Sequence, residues 1–234
     1  EKIHENKIIH RDIKPSNILY DPQTGEVEII DFGSSIEVDT AFPSSKTKEI
    51  IDGSLAYVSP EQTGRINRQT DTRSDYYSLG ATFYHLLTGK PPFSANDPMD
   101  MIYSHIAKEP LAPTNIESSI PENLSKIILK LLSKDPETRY QSSYGILYDL
   151  EWISSNQYNT DEFIVGKKDF SSEFHIPQKL YGRQNEIKSL VDTFYHMYQH
   201  GKPQLSVITG VAGIGKSALV KEIYKPISEA RGYF

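Results

Sequence analysis

"HRDIKPSNILYDPQTGEVEIIDFG", residues 10–33, spaces three oxygen-bearing side chains, Asp12, Asn17 and Asp31, in a pattern that local structure explains. Residues 18–20 (Ile-Leu-Tyr) and 27–30 (Val-Glu-Ile-Ile) are short β-prone runs. "DPQTGE" between them is rich in turn formers, with Pro22 presetting φ and Gly25 able to take φ > 0. The pattern predicts an antiparallel hairpin. Asn17 then stands at the open end of one strand and Asp31 at the open end of the other, so two side-chain oxygens 14 positions apart in sequence converge. A hard cation such as Mg²⁺ takes such ligands, and few of them when phosphate oxygens and water fill its remaining positions. Asp12, on the loop before the first strand, is placed to accept a proton from an incoming hydroxyl. Lys14 can set a point charge near a transferring phosphoryl group. The collection suits phosphoryl transfer, where catalysis is mainly positioning and charge neutralisation.

"HRDIKPSN" followed by "DFG" resembles the catalytic loop and metal-binding loop of eukaryotic-type protein kinases, and Lys14 within "HRDIK" resembles the Ser/Thr-specific branch. The resemblance implies residue roles. Asp12 orients the hydroxyl and takes its proton, Lys14 stabilises the γ-phosphoryl group, Asn17 and Asp31 hold Mg²⁺, and Leu19 floors the adenine pocket. His10, Phe32 and Gly33 have structural roles in the two loops. "GSLAYVSPE" (53–61) resembles the end of the activation segment, with Ser59 where the family has Ala. By position Ser54 matches the Ser/Thr that bonds to the catalytic Asp and Lys. Arg11 is the basic group able to pair with a phosphorylated side chain in this segment; Ser44, Ser45 and Thr47 are candidates that nothing ranks.

In "DTRSDYYSLGATFYHLLTGKPPF" (71–93), Tyr76, Leu79, Phe83, Leu86 and Leu87 recur at helical spacing, predicting a buried core helix stopped by Gly89 and Pro91. Asp75, read alone, is equally a solvated acid near a helix N-terminus. The resemblance makes it the family's buried acceptor of catalytic-loop backbone hydrogen bonds. Residues 97–109, 121–133 and 142–153 read as further helices, and Arg139 in "KDPETRY" resembles the Arg that pairs with Glu61. Residues 1–153 are thus expected to form a kinase-like C-terminal lobe. Because no Gly-rich loop, strand Lys or helix Glu precedes residue 10, the isolated chain is expected not to phosphorylate a substrate.

Residues 154–179, polar with scattered aromatics, read as a linker whose Phe residues can pack onto a neighbour. "LYGRQNEIKSLVDTFYHMYQHG" has Ile187, Leu190, Val191 and Phe194 on one stripe, predicting an amphipathic helix. In "QLSVITGVAGIGKSALVKEIY" (204–224), "LSVIT" reads as a buried strand and "ALVKEIY" as the start of a helix. Between them Gly210 to Ser217 spell G-x-x-x-x-G-K-S. Gly210, Gly213 and Gly215 let backbone N–H groups wrap phosphates, Lys216 reaches the outer phosphates, and Ser217 binds Mg²⁺. "LYGR" resembles the opening motif of AAA+-like and STAND-type ATPases, which makes residues 180–234 the N-terminal part of such a domain. The expected fold is α+β: a mainly helical kinase C-lobe with a small β-hairpin, then a partial α/β P-loop NTPase unit.

The 234 residues, 37% hydrophobic and 24% charged, suit a globular protein. A net charge of −6 and a pI near 5.7 argue against nucleic acid or an anionic membrane as main partner. The absence of cysteine excludes disulfides and Cys-ligated zinc and fits a reducing, cytoplasmic setting. Glu1 in place of Met, and a helix-like run into "RGYF" without a capping signal, make the chain read as an internal piece of something longer. As a whole it resembles very large bacterial hybrid sensors that join a Ser/Thr-kinase-like domain, an AAA+-type ATPase, a GAF domain and a histidine kinase. That implies ATP and Mg²⁺ as cofactors, a Ser/Thr-bearing protein substrate, and further domains of the same polypeptide as partners. The competing expectation is a non-catalytic kinase-like scaffold that relays the nucleotide state of the ATPase.

Overall fold

The computed structural model describes residues 1–37, 52–66, 68–155, 163–171, 180 and 182–230. The chain opens with α1 (Lys2–Glu5) and β1 (Ile8–Ile9), then forms the hairpin of β2 (Ile18–Tyr20) and β3 (Val27–Ile29). These pair antiparallel, with Ile18 opposite Ile29 and Tyr20 opposite Val27. The turn closes as its residues dictate: Gly25 adopts φ +74° and donates its N–H to Asp21 O at 2.8 Å, while Asp21 Oδ1 accepts from Gln23 N at 2.8 Å. β4 (Ile36–Glu37) returns beside β1, Ile9 opposite Ile36, making a second two-stranded sheet.

The rest of the lobe is helical: α2 (Thr72–Thr88), α3 (Pro98–Ala107), α4 (Glu122–Leu131) and α5 (Ser143–Ser155). Asp71 caps α2 by accepting from Arg73 N at 2.9 Å, and Gly89 ends it at φ +75°. α2 separates two apolar clusters. Tyr76 packs with Ile127, Leu131, Tyr140 and Ile146, while Tyr77, Ala81 and Tyr84 pack with Ile128 and Leu132. It crosses α4 closely at Gly80, where a Cβ would sit 2.6 Å from Leu131 Cβ.

The expected stripe on this helix is corrected in part. Tyr76 is buried and Phe83 packs against both clusters, but Leu86 is 62% exposed and Leu87 38%. The buried face instead runs through Tyr77, Gly80, Ala81 and Tyr84, because α4 crosses near the middle of α2 and the last turn runs past it.

Within the expected linker, residues 163–171 pack on the lobe. Phe163 and Val165 lie against the first cluster, with the Phe163 ring centroid 5.0 Å from that of Trp152. Gly166 N donates to Asp149 Oδ2 at 2.6 Å, and Asp169 accepts from Gln141 N and Ser142 N. Gly145 makes room for this, since a Cβ there would meet Asp169 Oδ1 at 2.5 Å.

Three helices follow: α6 (Gln184–His200), α7 (Lys216–Lys221) and α8 (Tyr224–Glu229). On α6, Leu190 is buried and Ile187, Val191 and Phe194 are half-buried, the stripe the periodicity predicts. The "LSVIT" expectation is not met. Residues 201–211 form no strand, and Leu205 and Val207 are 89% and 75% exposed. A buried parallel strand exists only between neighbours that accept its backbone hydrogen bonds, and no described strand pairs with this segment. Among the described residues no helix is long and apolar enough to cross a membrane.

Candidate active site

The loop after β1 is held from below by α2. Asp75, 1% exposed, accepts His10 N on Oδ2 and Arg11 N on Oδ1, both at 2.8 Å, and His4 Nε2 donates to Oδ2 at 2.8 Å. A buried carboxylate with three donors is well satisfied and fixes the direction of two successive N–H groups. Arg11 adopts φ +70° to present them. The His10 ring, fully buried, ties the loop to the hairpin: Nε2 donates to Ile30 O at 3.1 Å and Nδ1 accepts from Asp12 N at 3.3 Å. Its edge meets Phe32, with ring centroids 4.8 Å apart. One imidazole therefore joins the backbone of Asp12, the end of β3 and the residue after Asp31.

Asp12, Lys14 and Asn17 form one hydrogen-bonded group. Lys14 Nζ donates to Asp12 Oδ2 at 2.7 Å, and Asn17 Nδ2 donates to Asp12 O at 2.9 Å and to Asp12 Oδ2 at 3.0 Å. Both side-chain donors address Oδ2, which leaves Oδ1 for a hydroxyl. Asn17 is 6% exposed, and its backbone carbonyl accepts Ile30 N at 2.9 Å, which sets it across the hairpin one residue from Asp31.

Asp31 leaves the strand at φ +65°, and its Oδ1 accepts from Gly33 N at 3.2 Å. A Cβ at Gly33 would lie 3.1 Å from that oxygen, so glycine keeps the carboxylate unobstructed. The donor set fits a hard cation. Asn17 spends its amide N–H groups on Asp12 and so offers its oxygen, while Asp31 gives up one lone pair and keeps the others. Leu19, on β2, is 51% exposed.

The segment that follows is anchored by Glu61. Arg139 Nη1 and Nη2 hold its two oxygens at 2.6 and 2.8 Å, and Ser74 Oγ donates to Oε1 at 2.7 Å. Sequence reasoning missed Gln62, although Ser59 three residues earlier makes an S-x-x-Q capping signature. Gln62 Oε1 accepts from Ser59 N and Oγ at 3.1 and 2.8 Å, and its Nε2 donates to Arg11 O at 2.9 Å. Gln62 thus bridges this segment to the loop of Asp12. Arg11 Nε is buried with no hydrogen-bond partner among the described residues. Ser44, Ser45 and Thr47 lie outside the described residues, as does the side chain of Ser54.

The Gly210–Ser217 segment adopts glycine-dependent backbone, with φ +156° at Gly210, +79° at Gly213 and +92° at Gly215. Lys216 opens α7 and donates from Nζ to Gly210 O at 2.9 Å and Val211 O at 2.8 Å, while Ser217 is exposed.

Two family models match: that of the protein kinase domain over residues 1–150, and that of an AAA ATPase domain over residues 179–234. Hybrid signal transduction histidine kinase G of Dictyostelium discoideum is 36% identical over 193 residues, covering 72% of this chain and 6% of that protein. Serine/threonine-protein kinase PknB of Mycobacterium leprae is 38% identical over 154 residues, 66% of this chain and 24% of that protein. A probable serine/threonine-protein kinase of Streptomyces coelicolor is 40% identical over 152 residues, 64% of this chain and 22% of its own length. The chain thus spans a quarter or less of each of these relatives.

Proposed function

Since this chain belongs to the protein kinase domain family, we propose that it carries the catalytic loop of an ATP-dependent Ser/Thr protein kinase in a cytoplasmic signalling protein, followed by a nucleotide-binding switch unit. The observation that carries this reading is the hydrogen-bonded Asp12–Lys14–Asn17 group, with Asn17 O accepting the backbone N–H of Ile30, the residue before Asp31. Asp12 Oδ1 accepts the proton of a substrate Ser or Thr hydroxyl, while the bonds to Oδ2 hold the carboxylate still. Lys14, tethered to the same carboxylate, lies within reach of the transferring group and offsets its charge. Asn17 and Asp31 hold Mg²⁺, which when bound neutralises phosphate charge. Leu19 lies under the adenine, and His10, Phe32 and Gly33 position these groups. Ser54, by its position, bonds to Asp12 and Lys14. Arg11, whose Nε has no hydrogen-bond partner among the described residues, receives a phosphorylated side chain from the activation segment, and Glu61 with Arg139 fixes the end of that segment. Gly210, Gly213, Gly215, Lys216 and Ser217 cradle a second nucleotide with its Mg²⁺.

The test is transfer of label from γ-labelled ATP to protein Ser and Thr by the whole protein that carries this chain. Asp12→Asn is expected to lower the rate roughly 10²–10⁴-fold with substrate binding retained. An unchanged rate would overturn the assignment.

A further inference from the structure

The helices after the P-loop reach the kinase lobe directly, because α8 packs against α3. The contact continues through Lys221 and Glu222 at the end of α7, which line a cavity of about 190 Å³ together with Ile66, Arg68, Ile106 and Pro136. Glu222 Oε1 is buried there without a hydrogen bond among the described residues, and it lies 4.0 Å from Arg68 Nη1. A buried carboxylate oxygen is costly unless an opposite charge faces it, and Arg68 supplies that charge. Arg68 lies on the kinase side, shortly after the Glu61–Gln62 pair that fixes the end of the activation segment.

We propose that Ile66, Arg68 and α3 form a docking surface for this chain's own α7–α8 helices, and that a nucleoside triphosphate on the P-loop shifts that docking. The inference rests on the proposed reading of Gly210–Ser217 as a nucleotide site and needs no phosphoryl transfer to be tested. The coupling follows from geometry. α7 begins at Lys216 and delivers Glu222 about 9 Å further on, a distance a single helix carries as a rigid body. Lys216 Nζ is engaged by Gly210 O and Val211 O. A polyphosphate that draws the ammonium away from these carbonyls releases the contacts that tie the start of α7 to the Gly210–Val211 turn, and the far end of the same helix faces Arg68. Linkage is reciprocal, so whatever docks on the lobe face also changes nucleotide affinity.

The chain has no cysteine, so Arg68→Cys with Glu222→Cys introduces its only two thiols. A short bismaleimide is expected to join them within one chain, giving a monomeric band of altered mobility that neither single variant gives. Absence of that adduct overturns the docking. ATP with Mg²⁺ is expected to change the rate of adduct formation at least about fivefold, the lower end of ordinary coupling energies. Lys216→Ala is expected to remove this response. A rate indifferent to ATP in a protein that binds a fluorescent ATP analogue through Lys216 overturns the coupling, whereas absence of that binding overturns the nucleotide reading of Gly210–Ser217 on which the coupling rests. A second measurement avoids the introduced thiols. Hydrogen exchange of α8 is expected to rise in Arg68→Glu and in Glu222→Arg and to return in the double variant; equal exchange in all four proteins overturns the docking.

Discussion

Glu61 and Arg139 show no exposed side-chain atom, yet both are charged. The pair is tolerated because every strong donor is spoken for. Arg139 forks onto both Glu61 oxygens and its remaining N–H groups reach the carbonyls of Ser133, Arg73 and Lys134. Removing one partner strands the other charge in the interior, so Arg139→Met is expected to cost about 3–5 kcal/mol in urea unfolding. The double change Glu61→Leu with Arg139→Met should cost less than the sum of the singles.

His105 makes a different statement at the same scale. Burial first, and then the Lys134 charge, pushes its pKa down to about 3, while its Nδ1 meets Tyr77 OH at 2.9 Å. Between that value and the ordinary 6.5, the unfolded chain binds a proton that the folded chain refuses. The stability due to neutral His105 is therefore whole above pH 6.5 and is lost as pH falls toward 3. His105→Gln is expected to flatten the fall in unfolding free energy between about pH 6.5 and 4, by at most about 1.4 kcal/mol per pH unit. Denaturant midpoints across that range measure it.

At the scale of elements, Gly80 decides how closely α2 and α4 approach. Alanine is worth about 1 kcal/mol over glycine inside a helix, which would favour the substitution. Against this, a Cβ at Gly80 would lie 2.6 Å from Leu131 Cβ, an atom fixed to the backbone of α4. Overpacking of this kind costs about 1–3 kcal/mol, so Gly80→Ala is expected to lower the thermal midpoint despite its better propensity. The segment 163–171 belongs to the same scale. It reads as a linker because it has neither helical nor strand period. It is nevertheless held by Phe163 and Val165 packed against the core and by Asp169 on the N–H groups of Gln141 and Ser142. Its order comes from partners about 30 residues away, such as the Asp169 contacts with Gln141 at a separation of 28, which no local pattern announces.

For the whole molecule, the site exists because α2 and the first loop are brought together across 65 residues at His10 and 64 at Arg11, through Asp75. Asp75→Ala leaves two backbone N–H groups and His4 without an acceptor. It is expected to cost at least about 2 kcal/mol in stability and, in the whole protein that carries this chain, to reduce the proposed phosphoryl transfer by more than that loss explains, since Asp12 follows the freed residues directly. Comparing kcat with the folded fraction at each temperature separates the two effects. Much of this arrangement was legible in the residues themselves. "DPQTGE" closes a hairpin because Gly25 is free to take positive φ, and Gly210, Gly213 and Gly215 take positive φ as their residue type allows, because both are local constraints of backbone sterics. The stop of α2 at Gly89 was equally local. Tertiary structure alone decided that β1 pairs with β4, that Leu86 and Leu87 face outward, that Gln62 bridges to Arg11, and that Leu205 and Val207 form no strand. Each of these depends on which distant group arrives to accept a hydrogen bond or cover an apolar face, and a sequence encodes that only through the packing of all its parts.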